Sequence, residues 1–194
     1  VEIIKTQLNI KQLWDIIWGT NIIQQPIWRD ICFYNLLSVV LKNEKEDLRI
    51  HGFFVCNSTT GKDEGINLVK EILSHDKLGF RTCKPTETTD RFLVGSEIPQ
   101  HMEFNAMHNL SEGEIRQIGN RVYEWRNPIR VGSLSEKDWI AWSEANVVLS
   151  PKIHSVSIRK ILNQVMDKSG WVEKGVGNSD IGFYSNSVLL FTTV

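Results

Sequence analysis

The chain has 194 residues, of which 41% are hydrophobic and 23% are charged, and its formal net charge is −1. This composition is ordinary for a globular protein. The near-zero net charge gives no electrostatic argument for nucleic-acid binding by the whole chain, so such binding would need a local patch. No apolar run approaches the roughly 20 residues of a membrane-spanning helix, so the sequence predicts no membrane association.

The three cysteines, Cys32, Cys56 and Cys83, lack the spacing of a metal site. Cys32 and Cys56 lie in apolar runs and are predicted to be small core residues, which suits a reducing compartment. There is no signal peptide, so we expect an intracellular protein. The chain begins with valine and ends in a predicted strand, 189–194, which favours a fragment of a longer protein.

Two helices are predicted before residue 45, as an N-terminal helical segment (1–45) that precedes a core (46–194). In residues 1–25, apolar residues at helical spacing are expected to pack, together with a pair of tryptophans one turn apart: Leu8, Leu13, Ile16 and Ile17, with Trp14 and Trp18. The second helix, 27–42, has five apolar residues in register: Ile31, Tyr34, Leu37, Val40 and Leu41. A solvated connection, 43–47, follows it.

The most informative stretch is 51–65, HGFFVCNSTTGKDEG. Residues 53–56 are predicted to form a short buried strand, and a helix follows with Ile66, Val69, Ile72 and Leu73 on one face. A strand, a tight Gly-Lys loop and a helix are the layout of a phosphate site, where backbone N–H groups and a lysine attract an anion. The expected binding residues are Asn57, Ser58, Thr59, Thr60, Gly61, Lys62, Asp63 and Glu64. An ordinary strand-to-helix turn is the alternative, because the full phosphate-loop signature is incomplete here.

Shorter elements are predicted between residues 80 and 132. A strand is expected at 80–83, and a helix capped by Thr89 or Asp90 follows. Residues 98–120 are polar and irregular, and their histidines, His101 and His108, have no metal-site spacing. A hairpin of 122–125 with 129–132 is expected around Asn127-Pro128.

Residues 138–146, DWIAWSEAN, place four apolar residues before a polar residue and a glutamate. A buried strand that delivers a metal-side residue and a general base at its carboxyl end has this pattern. A strand that ends in a helix cap is the alternative. A helix at 156–168, a hairpin with a glycine-rich tip at 170–184 and a closing strand at 187–194 complete the chain.

Together these elements resemble a P-loop ATPase of the AAA+ type, and more narrowly the helicase-like ATPases of phages, plasmids and other mobile elements. The resemblance covers roughly residues 27–194 and rests on GFFVCNSTTGKDEG, WIAWSEAN, GWVEKGVGNSDIGFYSN and SVLLFTTV. It implies an α/β fold: a three-layer P-loop core with a parallel sheet, N-terminal helices and a β-hairpin before the last strand, in a fragment that lacks the lid.

The resemblance also implies roles for individual residues. Lys62 would bind the β- and γ-phosphates of ATP, and Glu144 would polarise the attacking water. Thr192 or Thr193 would sense the γ-phosphate. Lys174 lies in the hairpin that replicative helicases of this class use to touch DNA in a central pore, so DNA and ring-forming self-association are the expected partners.

Two positions depart from the family pattern in a related way. A hydroxyl residue usually follows Gly-Lys, and an aspartate usually precedes the catalytic glutamate, but here these positions hold Asp63 and Ser143. Mg²⁺ is held by few protein carboxylates and several waters. We therefore expect Asp63 and Ser143 to hold Mg²⁺ in exchanged roles; the alternative is a decayed site in which Asp63 repels the phosphates.

Three functions remain open at this point. The first is an ATP-driven DNA motor, such as a viral or mobile-element replicative helicase. The second is another P-loop machine that packages DNA or remodels proteins. The third is a catalytically degenerate P-loop scaffold that keeps the fold for assembly.

Overall fold

The computed structural model describes residues 9–21, 25–41, 47–57, 61–97, 129–149, 153–176 and 179–193. Its contacts divide the chain into two compact units, each discontinuous in sequence. Unit 1 comprises 1–87, 137–149 and 187–194, and unit 2 comprises 88–136 and 150–186. The two N-terminal helices therefore belong to the same unit as the strand that precedes the Gly-Lys loop.

The described helices, in chain order, are α1 (Ile10–Asn21), α2 (Pro26–Val40), α3 (Lys62–Leu73), α4 (Asp90–Val94), α5 (Ser133–Glu136), α6 (Asn146–Leu149) and α7 (Ile153–Met166). The strands are β1 (Gly52–Val55), β2 (Thr82–Cys83), β3 (Gly95–Glu97), β4 (Ile129–Val131), β5 (Trp139–Trp142), β6 (Trp171–Val176), β7 (Ser179–Tyr184) and β8 (Val188–Thr193).

Unit 1 is built on a four-stranded sheet with the order β1-β8-β5-β2, and all three strand pairs are parallel. The predicted α/β class with a parallel sheet is thus confirmed. The central strands β5 and β8 are buried along their whole length, as continuous apolar runs in a parallel sheet should be. The last strand in sequence lies between the strand that enters the Gly-Lys loop and the strand that leads to Glu144.

The prediction of a buried strand at 53–56 is wrong in one respect. The strand forms at Gly52–Val55, but its side chains alternate between buried and exposed. Phe53 and Val55 are 49% and 62% exposed, whereas Phe54 is buried. The reason is that successive side chains of a strand point to opposite faces of the sheet: Phe54 packs on Trp28 in the core, and Phe53 and Val55 point to the other face.

Helices α1, α2 and α3 contribute to one hydrophobic core with one face of the sheet. The packing predicted for Trp14 and Trp18 is confirmed, since both are buried and their rings lie 5.6 Å apart. The packing predicted for the other apolar residues of this helix is wrong at Leu13 and Ile16, which are 48% and 51% exposed. The tryptophans alone therefore define the buried face of α1.

The buried face predicted for α2 is right in part, since Ile31 and Leu37 pack partly buried against the core, but it is wrong at the other three residues. Tyr34, Val40 and Leu41 are exposed, while the residues that enter the core are Trp28, Cys32, Phe33, Leu36 and Val39. Apolar residues occur on all sides of α2, so the sequence periodicity could not predict which face is buried. Contact with the sheet determines the buried face, because the Trp28 ring stacks on Phe54 with centroids 4.8 Å apart. The predicted burial of Cys32 is confirmed, whereas Cys56 is only partly buried.

Helix α3 packs closely against α2 at a glycine. A Cβ atom added to Gly65 would lie 2.3 Å from Nε1 of Trp28, so only glycine fits at this point. The predicted face of α3 is confirmed at Ile66, Val69 and Leu73, which are fully buried, and Ile72 is partly buried. This packing fixes the start of α3 over the carboxyl end of the sheet.

The described part of unit 2 contains two antiparallel strand pairs, β3-β4 and β6-β7. The predicted hairpin before the last strand is confirmed by the second pair. Thr89 caps α4, because its Oγ1 accepts a hydrogen bond from the Phe92 N–H at 3.1 Å. Helix α7 buries Ile158, Ile161, Leu162 and Val165, but Val156 is 42% exposed. The predictions for 98–120 and 122–125 lie outside the described residues, as does that for residues 43–46.

Candidate functional site

The chemistry-bearing residues of unit 1, all but Lys84 predicted from sequence, gather at one edge of its sheet. Because the four strands are parallel, their carboxyl ends share that edge, where ligands of open α/β sheets bind. We call this set of residues the carboxyl edge: Lys62, Asp63, Lys84, Ser143, Glu144, Thr192 and Thr193. They follow or end β1, β2, β5 and β8.

The Gly-Lys turn has the backbone of a helix start. Gly61 has φ of 73° and is the N-cap of α3, a left-handed conformation that favours glycine. Lys62, Asp63 and Glu64 form the first turn of the helix, whose backbone N–H groups lack acceptors within the helix and attract anions. Asn57 lies at the start of the loop; Ser58, Thr59 and Thr60 are outside the described residues.

Lys62 and Glu144 are 82 positions apart in sequence, and the structure brings them into contact. The Lys62 Nζ donates a hydrogen bond to Glu144 Oε1 at 2.7 Å. The Lys62 side chain is 8% exposed and that of Glu144 is 55% exposed. A buried ammonium group therefore faces a carboxylate that reaches water, which places charge and a proton acceptor at the same point of the edge.

Asp63 pairs with a different lysine, Lys84. Lys84, directly after β2, donates hydrogen bonds to Asp63 Oδ1 at 3.0 Å and to Asn67 Oδ1 at 3.1 Å. Burial acts to raise the pKa of Asp63, but the Ser143 hydroxyl, Lys84 and Lys62 outweigh it, so this pKa is lowered. Sequence patterns missed Lys84, because its only signal was its position after a predicted strand.

Ser143 carries the one unexplained polar atom of the carboxyl edge. Its Oγ is buried and has no hydrogen-bond partner of ordinary geometry in the described parts of the chain, although it influences the Asp63 carboxyl group. A buried hydroxyl beside a carboxylate fits Mg²⁺, which prefers oxygen ligands and completes its shell with water. No cluster of three or more His, Cys, Asp or Glu side chains suited to a metal occurs among the described residues.

The two predicted sensor threonines bind the turn after β5. Thr192 Oγ1 donates to the Ser143 carbonyl at 2.8 Å, and the Ala145 N–H donates to the Thr192 carbonyl at 2.7 Å. Thr193 Oγ1 donates to Asn146 Oδ1 at 2.7 Å. These bonds hold the segment that carries Ser143 and Glu144 against the central strand.

Lys174, the predicted DNA contact, belongs to unit 2 and is paired within it. Its Nζ donates to the Asp90 carboxylate, and this hydrogen bond is the main reason why the pKa of Asp90 is lowered. The side chain of Lys174 is 22% exposed. In this arrangement a phosphate group would have to compete with Asp90 for the lysine.

Known proteins add no family assignment to this geometry. No model of a protein family matches the chain, and no curated protein matches it either. Within the described helices, none is both long and apolar enough to cross a membrane.

Proposed function

We propose that the chain is an ATP-binding and ATP-hydrolysing motor domain with a three-layer, AAA+-like P-loop core. The observation that carries the proposal is the 2.7 Å contact between Lys62 and Glu144 at the carboxyl edge. The left-handed Gly61 at the start of α3 supports it. A phosphate-binding lysine and a general base must lie within the reach of one nucleotide, and here they touch.

In this proposal Lys62 supplies positive charge to the β- and γ-phosphates, and the first-turn N–H groups of α3 orient them. Phosphoryl transfer depends mostly on such positioning and charge neutralisation. A phosphate that takes over Lys62 releases Glu144 from its ion pair. The Glu144 carboxylate, which is 55% exposed, can then accept a proton from the attacking water.

Asp63 and Ser143 are the residues that would hold Mg²⁺. When bound, the ion supplies charge neutralisation at the phosphates. The lowered pKa of Asp63 keeps its carboxylate ionised at neutral pH, as a metal ligand must be. Thr192 bonds to the Ser143 carbonyl and so keeps the hydroxyl and the adjacent Glu144 in place.

We further propose DNA as the partner and a ring as the working assembly, as in a replicative helicase of a virus or mobile element. This part rests on the resemblance and on the β6-β7 hairpin, which occupies the predicted place before the last strand. A DNA-packaging or protein-remodelling motor is the alternative with the same ATP chemistry. A degenerate scaffold is favoured by one observation, the Asp63 carboxylate directly beside Lys62 in the turn.

ATP titration by calorimetry and measurement of phosphate release test the proposal. We expect Mg²⁺-dependent hydrolysis that single-stranded DNA stimulates. Lys174→Ala should remove the stimulation and spare the basal rate, whereas Lys168→Ala, an exposed lysine of the same unit, should change neither. Binding without hydrolysis would favour the scaffold, hydrolysis indifferent to DNA would favour the remodelling motor, and no binding would refute the proposal.

A further inference from the structure

We propose that Lys84 is a positioning residue that makes the Gly-Lys-Asp turn compatible with an anionic ligand, by neutralising Asp63 and fixing its carboxylate. The inference rests on the proposed nucleotide site and extends it to a residue outside the phosphate-loop pattern. It concerns charge at the site rather than the chemical step.

The geometry of Lys84 supports this role. Its ammonium group is held by two acceptors, Asp63 and Asn67, at 3.0 and 3.1 Å. These acceptors are four positions apart on α3 and therefore lie on the same side of the helix. Lys84 itself follows β2, so the sheet presents the charge to the helix. Its side chain is 25% exposed, which limits its freedom to leave Asp63.

The charge balance of the carboxyl edge depends on this lysine. The two ion pairs bring together two cations, Lys62 and Lys84, and two carboxylates, Asp63 and Glu144. Without Lys84, two carboxylates would face an incoming triphosphate with only Lys62 to offset them. Like charges that come into close contact repel even when water screens them.

Mg²⁺ and Lys84 should therefore substitute for each other in part. A divalent cation bound at Asp63 neutralises the same carboxylate that Lys84 neutralises. The loss of Lys84 should weaken ATP binding most strongly in metal-free solution. A merely structural lysine would weaken binding equally with and without the metal.

The experiment compares ATP dissociation constants of the 194-residue chain in excess EDTA and in excess Mg²⁺. For Lys84→Gln, we expect the ratio of the dissociation constant in EDTA to that in Mg²⁺ to be about tenfold higher than in the wild type. The double variant Lys84→Gln with Asp63→Asn should return the ratio to the wild-type value or below, and Lys84→Arg should keep it. Lys77→Gln removes an exposed lysine of the same unit and serves as the matched control.

An equal ratio in wild type and Lys84→Gln would overturn the role of Lys84 while leaving the nucleotide site intact. A raised ratio that Asp63→Asn fails to correct would also overturn it, because the effect would not pass through Asp63. Wild-type protein that binds no ATP under either condition would overturn both this inference and the proposed function.

Discussion

The two edges of the sheet in unit 1 use polar groups in opposite ways. At the amino edge, before the strands begin, Asn35 is fully buried and every polar atom of its side chain has a partner. Its amide group donates to the Ile50 and Leu189 carbonyls at 2.8 and 3.1 Å, and its oxygen accepts from the Trp139 indole at 2.6 Å. Such a network fixes the positions of β1, β5 and β8.

At the carboxyl edge, two lysines pair with carboxylates that reach water. Glu144 and Asp63 are 55% and 48% exposed, and Ser143 Oγ is buried without a hydrogen bond of ordinary geometry. Ion pairs that reach water can exchange partners with a ligand, whereas a buried amide network cannot. The difference indicates that the amino edge maintains the fold and that the carboxyl edge is available for chemistry.

The largest effect is expected at the carboxyl edge. Glu144→Gln removes the proposed proton acceptor and should lower ATP turnover by about 10²–10³-fold, as measured by phosphate release. Its thermal unfolding should change only modestly, because the side chain is 55% exposed and the glutamine oxygen can still accept a hydrogen bond from the buried Lys62 ammonium group. Glu71→Gln on α3, which is also exposed, should leave both properties unchanged. Full turnover by Glu144→Gln would contradict the assignment.

The opposite pattern is expected at the amino edge. Asn35→Leu leaves the Trp139 indole N–H without the Asn35 acceptor and removes two hydrogen bonds to carbonyl groups, and it should reduce the free energy of unfolding by about 2–4 kcal/mol. Denaturant titration measures this loss. Asn163→Leu, an exposed asparagine of α7, should change stability by less than about 0.5 kcal/mol. Similar values for the two variants would mean that the network does not hold the strands.

His51 should make the amino edge sensitive to acid. Its Nδ1 accepts a hydrogen bond from the Leu189 N–H at 3.1 Å. Burial and the charge of Arg49 lower its pKa from 6.5 to about 4, with a smaller opposing effect of Asp47. Between these two pH values the unfolded chain binds more protons than the folded chain. The free energy of unfolding is therefore highest above about pH 6.5 and decreases as the pH falls toward 4, by at most about 3 kcal/mol.

Denaturant titrations at several pH values measure this slope. His51→Asn retains an acceptor near the Leu189 N–H but cannot titrate, so its stability should fall less steeply over the same interval. Parallel curves for the variant and the wild type would show that other groups cause the acid sensitivity.

The smallest effect, a loss of stability, is expected at the contact between α2 and α3. Gly65→Ala places a Cβ 2.3 Å from Trp28 Nε1, and the displacement of the indole should cost about 1–3 kcal/mol. Gly19→Ala is the matched control, because nothing lies within 4 Å of its added Cβ and alanine favours a helix. Thermal unfolding should separate the two, and a loss at Gly19 as large as that at Gly65 would contradict close packing as the cause.

The sequence was sufficient for features that depend on local pattern. The apolar runs at Trp139–Trp142 and Val188–Thr193 predicted the buried strands, and strand-loop-helix order predicted α3. Hairpin β6-β7 followed from its glycine-rich tip. The proximity of Lys62 and Glu144 was anticipated through the family resemblance, since nothing local connects residues 82 positions apart.

The features that were missed depend on tertiary neighbours. The exposed face of β1 lies opposite the face on which Phe54 packs against Trp28, and a four-residue run cannot reveal which face has a packing partner. The buried face of α2 was ambiguous because the helix has apolar residues on all sides. Its contact with the Phe54 ring determines which face is buried. The ion pair of Lys84 with Asp63 requires the end of β2 to lie beside the start of α3, and no spacing rule predicts that.

The most direct test of the account is a calorimetric titration of Mg²⁺-ATP into the wild type, Lys62→Met and Lys70→Met, the last an exposed lysine of α3. We predict that the wild type and Lys70→Met bind with dissociation constants in the range of about 1 μM–1 mM that is common for enzyme substrates. Lys62→Met should bind at least about tenfold more weakly. Equal affinities of the wild type and Lys62→Met would contradict a phosphate site at the carboxyl edge.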